Sequence, residues 1–332
     1  MSQLRLNPLN GRWVTVVAER AQRPSDFAPR QAQVEADPNL PCPFCPGYEE
    51  ETPPALESYD RNGKWVVRVV PNRYPAFFGE DSMAVRNLGP VHVQAAASGI
   101  HEVLVISPEH DESWADLTDE DTELVMCAVK ARFVEHANMP HVRYTQAIVN
   151  QGREAGASLS HPHGQLLGMP FVPGEILDEE RAFARFDGGC ILCTTAEAEL
   201  ADGSRIVHAD DSVVVVCPFW SGSPYELLII PLNHAGHLQD TSDNELTAVG
   251  LGVRNALSNL RDLLGDVAYN LVFHTAPHRH DGPFHWHAHV WPKLSTTAGF
   301  EMGTGVMINI TPPELAAQEL RRVQIAGATN GA

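Results

Sequence analysis

Residues 101–125 read HEVLVISPEHDESWADLTDEDTELV, and residues 225–249 read YELLIIPLNHAGHLQDTSDNELTAV. Each stretch opens on an apolar β-like run, passes a proline and a histidine, crosses a short polar segment and enters the start of a helix. In the second stretch Ser242 and Glu245 form a capping box, and Val249, Val253, Ala256, Leu257, Leu260 and Leu264 recur on one helical face. In the first, Thr118 is the expected cap, and Leu124, Ala128 and Ala131 begin the equivalent stripe. A further strand follows each helix, YTQAIV (144–149) and YNLVFH (269–274), and after each strand comes a histidine cluster, HPHGQ from His161 and HWHAH from His285. His110 and His161 are 51 residues apart, and so are His234 and His285. Duplication of such a set at constant separation predicts two copies of one α+β unit, an antiparallel sheet with a long helix packed on it. The expected division is 1–175 and 176–332, with 171–190 as linker. The first forty residues and the last fifteen are read as extensions lying on the two copies.

Composition narrows the function. The 332 residues carry 42 acidic and 23 basic side chains, a formal charge of −19. A nucleic-acid groove or an anionic membrane surface needs basic patches that displace counterions, so neither is an expected partner. The first residues, MSQLRLNPLNGRWV, lack a basic-then-apolar signal pattern, and no apolar run approaches a membrane span. A cytoplasmic protein is expected. Four of the six cysteines form CxxC pairs, Cys42 with Cys45 and Cys190 with Cys193, a spacing that in a reducing compartment points to metal or redox chemistry. Cys127 and Cys217 sit among apolar residues and read as inert core thiols.

Each copy therefore offers two cysteines and two histidines. Two thiolates and two imidazoles suit tetrahedral zinc, and four protein ligands make a closed, structural site. The predicted sets are Cys42, Cys45, His110 and His161 in the first copy, and Cys190, Cys193, His234 and His285 in the second. HPHGQ alone could be a buried histidine pair, a metal clamp or a supported nucleophile. With His161 on the metal, His163 becomes the free imidazole, a nucleophile for phosphorus if a backbone carbonyl holds its other nitrogen. Gln165, two residues on, can donate its amide to a phosphate oxygen. The glycine- and alanine-rich loop NQGREAGAS (150–158) can bring backbone N–H groups close to phosphates.

These residues resemble the histidine-triad superfamily, and within it the galactose-1-phosphate uridylyltransferase family. The resemblance spans nearly the whole chain, through RAQRP (20–24), the first CxxC, VRVVPNRYPAF (67–77), SPEH (107–110), NQGREAGASLSHPHGQ (150–165) and GFEMGTG (299–305). It implies a homodimer and a ping-pong transfer, in which His163 displaces glucose 1-phosphate from UDP-glucose and galactose 1-phosphate then takes the uridylyl group. It also implies that Arg20, Arg23, Asn72, Asn150, Ser158 and Gln165 surround the nucleotide and its phosphates, with Glu301 near the sugar hydroxyls. The segment KLSTTAGFEMGTGVMIN (293–309) departs from members that carry a lysine before the Gly-aromatic-Glu segment and a glutamine after it. It is similar instead to relatives that act as ADP- or UDP-sugar phosphorylases, with phosphate as acceptor. In the second copy His287 reads either as a second nucleophile or as a metal ligand, since Glu179, His274, His287 and His289 match a second metal site of some members. A non-catalytic zinc protein is the alternative of a different class.

Overall fold

A computed structural model describes residues 2–20, 27, 41–81 and 83–330, without the side chains of Arg20 and of 324–330. The chain opens with strands β1 (Gln3–Leu6) and β2 (Trp13–Val16), then β3 (Glu57–Arg61), β4 (Lys64–Pro71) and the short pair β5 (Arg86–Asn87) and β6 (Val93–Gln94). Strand β7 (Ile100–Val105), helix α1 (Asp119–Asn138), β8 (Tyr144–Gln151) and β9 (His163–Met169) complete the first copy. Helices α2 (Gly174–Arg185) and α3 (Ile191–Asp202) lead into β10 (Ile206–Ala209), β11 (Val213–Val216) and β12 (Leu227–Pro231). Helix α4 (Asp243–Leu264), β13 (Tyr269–His274) and β14 (His287–Pro292) follow, and α5 (Gly299–Thr304), β15 (Met307–Asn309) and α6 (Pro313–Asn330) close the chain.

Ten strands form one sheet in the order β10-β11-β12-β14-β13-β8-β9-β7-β4-β3. Read inward from either edge, the order is the same: β3, β4, β7, β9, β8 from one side and β10, β11, β12, β14, β13 from the other. The copies join where β13 pairs antiparallel with β8, Val272 facing Ile148 and Asn270 facing Asn150. The predicted α+β class and antiparallel sheet are what the chain adopts. A separate three-stranded sheet, β1-β2-β15, ties the two chain ends together.

Period-two burial explains the layers. Side chains alternate between the faces of a strand. Val213, Val215, Leu227 and Ile229 join the core beneath α4, whereas Val214, Val216, Leu228 and Ile230 pack with Ile176, Phe183, Ile191 and Leu192 of α2 and α3. Strands buried on both faces are apolar throughout, which is why β11 reads VVVV. Over the first copy α2 reaches only Tyr144 and Met169 at the ends of β8 and β9. Elsewhere on this face Val70, Val103 and Val105 pack with Phe44 of the CxxC turn.

Thr118 and the Ser242–Glu245 capping box start α1 and α4 as expected. Gly250 is required where these helices cross, because a Cβ there would lie 2.6 Å from Met126 Cγ and 2.8 Å from Thr122 Cγ2. Three expectations need correction. The buried face of α1 is Val125, Met126, Ala128, Val129 and Phe133, so Ala128 lies where expected, whereas Leu124 and Ala131 are only half-buried. Helix α1 packs beside α4, over the strands of its own copy, and it turns Arg132 and His136 inward to the buried carboxylate of Glu102, at 2.6 and 3.3 Å. The supposed linker is mostly helix: α2 spans Gly174–Arg185 and buries Ile176, Glu179, Ala182 and Phe183. Cys217 is fully buried, but Cys127 is only half-buried. Among the described residues no helix is long and apolar enough to cross a membrane.

Leu271 is buried at the seam, facing Val149 on one side and Val290 on the other. Leu271→Ala is expected to lower unfolding free energy by about 2–5 kcal/mol, read from a denaturant midpoint. A shift within error would show that the seam does not bind the two copies into one folding unit.

Candidate active site

The CxxC turn brings Cys45 Sγ to 3.3 Å from His110 Nδ1 and 3.5 Å from His161 Nδ1. With Cys42 the four ligand atoms lie within 4.8 Å of one another. A tetrahedral zinc, with bonds of about 2.3 Å to sulfur and 2.0–2.1 Å to nitrogen, sets sulfur and nitrogen about 3.6 Å apart. The donor set therefore fits the ion. His161 Nε2–H donates to the Ser107 carbonyl at 2.8 Å, which leaves the Nδ1 lone pair for a metal. Burial pulls this ring down to about 4, so it stays neutral, as a ligand must. Burial, and the neighbouring Cys42, push the Cys45 thiol up to about 11. A cation is what would release that proton. Cys190, Cys193, His234 and His285 repeat the arrangement, with sulfur-to-nitrogen distances of 3.4, 3.5 and 3.6 Å.

His163 opens β9, opposite Val105 of β7. His161 lies in the bend before the strand rather than on it, and its carbonyl accepts the His163 Nδ1–H at 2.8 Å. That bond fixes the tautomer and leaves Nε2 as the basic, nucleophilic nitrogen. Burial holds the ring below the ordinary histidine range, against the pull of the carbonyl. Phe44 stands beside both rings, 5.4 Å from His163 and 5.9 Å from His161. Gln165 shares the His163 face of β9. Asn150 is the next-to-last residue of β8, and the loop after the strand turns through Gly152 at φ 81° and Gly156 at φ 92°. Gly152 also allows close packing, since a Cβ there would fall 2.8 Å from Ala268 Cβ. Ser158 is exposed at the end of this loop.

His101 connects the expected residues. Its Nε2 lies 2.8 Å from Gln165 Oε1 and 3.1 Å from Asn72 Nδ2. Asn270 of the second copy reaches Asn150 Oδ1 at 2.7 Å. Neither His101 nor Asn270, nor Phe44, carries a sequence signal, because each acts across the sheet or from another copy. Glu301 stands apart from this group: its carboxylate accepts the Ala298 amide at 3.0 Å, capping α5. The backbone of Arg20 ends a short 3-10 turn (Ala18–Arg20), its side chain lies outside the described residues, and so does all of Arg23.

The second copy repeats the first with different chemistry. Asn150, His163 and Gln165 correspond to His274, His287 and His289, each 124 positions later. His287 Nδ1–H likewise donates to the carbonyl two residues back, His285, at 2.9 Å. Helix α2, however, covers this face and inserts Glu179, whose Oε1 lies 2.8 Å from His274 Nδ1. His163 keeps 7% of its surface accessible, whereas His287 keeps 0%. A sealed imidazole cannot meet a sugar nucleotide. Glu179 Oε2, His287 Nε2 and His289 Nδ1 are buried without a hydrogen-bond partner. Four ligand atoms of Glu179, His274, His287 and His289 converge within 4.8 Å, a set suited to a divalent cation. Of the two readings of His287 the geometry favours the metal ligand, and both four-residue groups are present: His285 belongs to the thiolate set, His287 to the buried carboxylate set.

Comparison with known proteins agrees with this architecture. Residues 1–173 match the galactose-1-phosphate uridyl transferase N-terminal domain, and 176–325 match the C-terminal domain of the same family. The chain is 32% identical to ADP-glucose phosphorylase of Arabidopsis thaliana, over 97% of this chain and 93% of that protein. It is 27% identical to galactose-1-phosphate uridylyltransferase of Haemophilus influenzae, over 96% and 93%. The crystal structure of an Arabidopsis thaliana ADP-glucose phosphorylase with bound ADP-glucose superposes with a TM-score of 0.79 at 29% identity, covering 97% of this chain and 99% of that one. With two copies of one sheet unit, a carbonyl-held histidine beside a Cys2His2 cluster and both halves matched, the chain belongs to the galactose-1-phosphate uridylyltransferase family.

Proposed function

We propose that the protein is a nucleotidylyltransferase that works through His163. Its Nε2 attacks the α-phosphorus of a sugar nucleotide, the bond to the departing sugar 1-phosphate breaks, and a nucleotidyl-histidine forms. An acceptor phosphate oxygen then attacks the same phosphorus and the P–N bond breaks, restoring the ring. Splitting the transfer into two displacements needs a group that is both nucleophile and leaving group, and imidazole is both. The observation that carries this reading is the Nδ1–H bond of His163 to the His161 carbonyl, which leaves an accessible Nε2 beside Gln165. Gln165, Asn150, Asn72, Ser158 and the amides of 152–157 would stabilise charge on the phosphoryl oxygens. Arg20, Arg23 and Glu301 belong to the reading as nucleotide and sugar contacts.

The favoured donor is UDP-glucose and the favoured acceptor galactose 1-phosphate, in keeping with the family. A second reading has a specific observation behind it: the Arabidopsis thaliana relative at 32% identity is an ADP-glucose phosphorylase, and inorganic phosphate would then be the acceptor. Zinc in the two Cys2His2 sets would act structurally, clamping the backbone that presents His163. The exposed Tyr74, Phe78 and Val91 supply apolar surface for the proposed homodimer.

Intact-mass spectrometry after adding UDP-glucose or ADP-glucose should show one added nucleotidyl group on wild-type protein and none on His163→Asn. The mass gained names the base. Chasing with galactose 1-phosphate or phosphate then names the acceptor, and discharge by phosphate alone would remove the uridylyltransferase assignment. Burial lowers the His163 pKa from 6.5, so the ring remains neutral as the pH falls through that value. The acid limb of kcat/KM is expected below pH 6.5; a limb above it would contradict the assigned nucleophile. Chelation is expected to lower the thermal midpoint, with activity falling only as folded protein is lost. Prompt loss of turnover in still-folded, stripped enzyme would instead place a metal in the reaction.

A further inference from the structure

Three side-chain amides, those of Asn72, Asn150 and Gln165, stand around His163, and each could face a ligand with either its oxygen or its NH2. Only the NH2 end helps a phosphate, which offers acceptors alone. The surrounding bonds decide which end faces out. The Ala76 amide N–H donates to His101 Nδ1 at 3.0 Å. A neutral ring that accepts at Nδ1 carries its proton at Nε2. That Nε2–H must donate to the Gln165 oxygen, 2.8 Å away. Gln165 is thereby left with its NH2 turned outward. On the other side, Asn270 Nδ2 donates to the Ala155 carbonyl at 2.8 Å and with its second hydrogen to Asn150 Oδ1 at 2.7 Å. The carbonyl can only accept, so the Asn270 orientation is fixed, and with it that of Asn150. The freed Asn150 Nδ2 faces the phosphate loop, 3.9 Å from where a Cβ on Gly156 would stand. Asn72 completes the set, its Oδ1 taken by the Tyr74 amide at 2.8 Å. Its NH2 touches His101 Nε2–H at 3.1 Å, a contact of two donors that makes no bond and leaves the amide free for a ligand.

We infer that His101 and Asn270 are positioning residues that fix the polarity of the Gln165 and Asn150 amides, so that the cleft beside His163 presents donors only and accepts phosphoryl oxygens. The inference rests on the proposed nucleotidyl transfer for its chemistry, but its geometry stands independently. Asn270 also carries the dependence of the site on the second copy. It lies on β13, directly across the seam from Asn150, so a catalytic amide of one copy is oriented by a side chain of the other.

The test compares His101→Phe, His101→Gln and Asn270→Asp with wild type in rapid-quench formation of the adduct, using saturating UDP-glucose and ADP-glucose. His101→Phe keeps the ring shape without the donor, and Asn270→Asp turns an oxygen toward two oxygens. Both should slow adduct formation about tenfold to hundredfold with a smaller change in KM. His101→Gln should recover most of the rate, because its amide nitrogen reaches the place of Nε2. Calorimetry with inorganic pyrophosphate should show binding to wild type and at least tenfold weaker binding to His101→Phe and Asn270→Asp. Unchanged rates overturn the inference, as does a His101→Gln variant as slow as His101→Phe. If wild type forms no adduct with either sugar nucleotide, the functional reading fails, and the pyrophosphate comparison alone decides the polarity. Wild type that binds no pyrophosphate would overturn the donor-only cleft, whatever the adduct shows.

Discussion

His161 does two things with one residue. Its Nδ1 completes a Cys2His2 cluster, and its backbone carbonyl takes the Nδ1–H of His163 at 2.8 Å. The first function needs a rigid backbone, and the second inherits that rigidity. In the proposed reaction a metal ion on His163 itself would block its attack. A metal on the neighbouring residue would leave Nε2 of His163 basic, while Phe44, from the same CxxC turn, packs against both rings. Oriented electrostatics need little reorganisation at the moment of reaction, which is where such a scaffold contributes most.

The sheet explains why only one of two equivalent sites is open. Both copies place a histidine after a carbonyl-bearing partner and pair the same strands in the same order. The face above His163 is lined by Phe44 and a loop. The face above His287 lies under α2 and α3, and α2 delivers Glu179 into it. Burial removes access to His274, His287 and His289, whose ligand atoms converge with that of Glu179 in a set suited to a cation. At two of the three matched positions an amide in one copy, Asn150 or Gln165, stands where the other has an imidazole, His274 or His289.

Much of this was legible in the chain. The 51-residue spacing in both copies and the two CxxC pairs point to the repeat and to the two Cys2His2 groups that the fold brings together, because they depend on short local patterns that recur. What escaped depends on pairing distant in sequence. His101 meets Gln165 only because β7 lies against β9, and Asn270 meets Asn150 only because two copies share a seam. Helix α2 reads as a linker since its charged run hides the apolar face of Ile176, Ala182 and Phe183. The inward face of α1 was misplaced because Arg132 and His136 are buried against Glu102, a polar burial that hydrophobic periodicity does not register.

The most direct test of this division of labour is the tautomer of His163 in solution. Long-range 15N–1H correlation spectra of histidine-labelled, metal-loaded protein, assigned with His163→Asn, report the protonation of each ring nitrogen. A neutral ring protonated at Nδ1, with an unprotonated and metal-free Nε2, is the predicted result. A proton resting on Nε2, or either nitrogen bound to an ion, would contradict it.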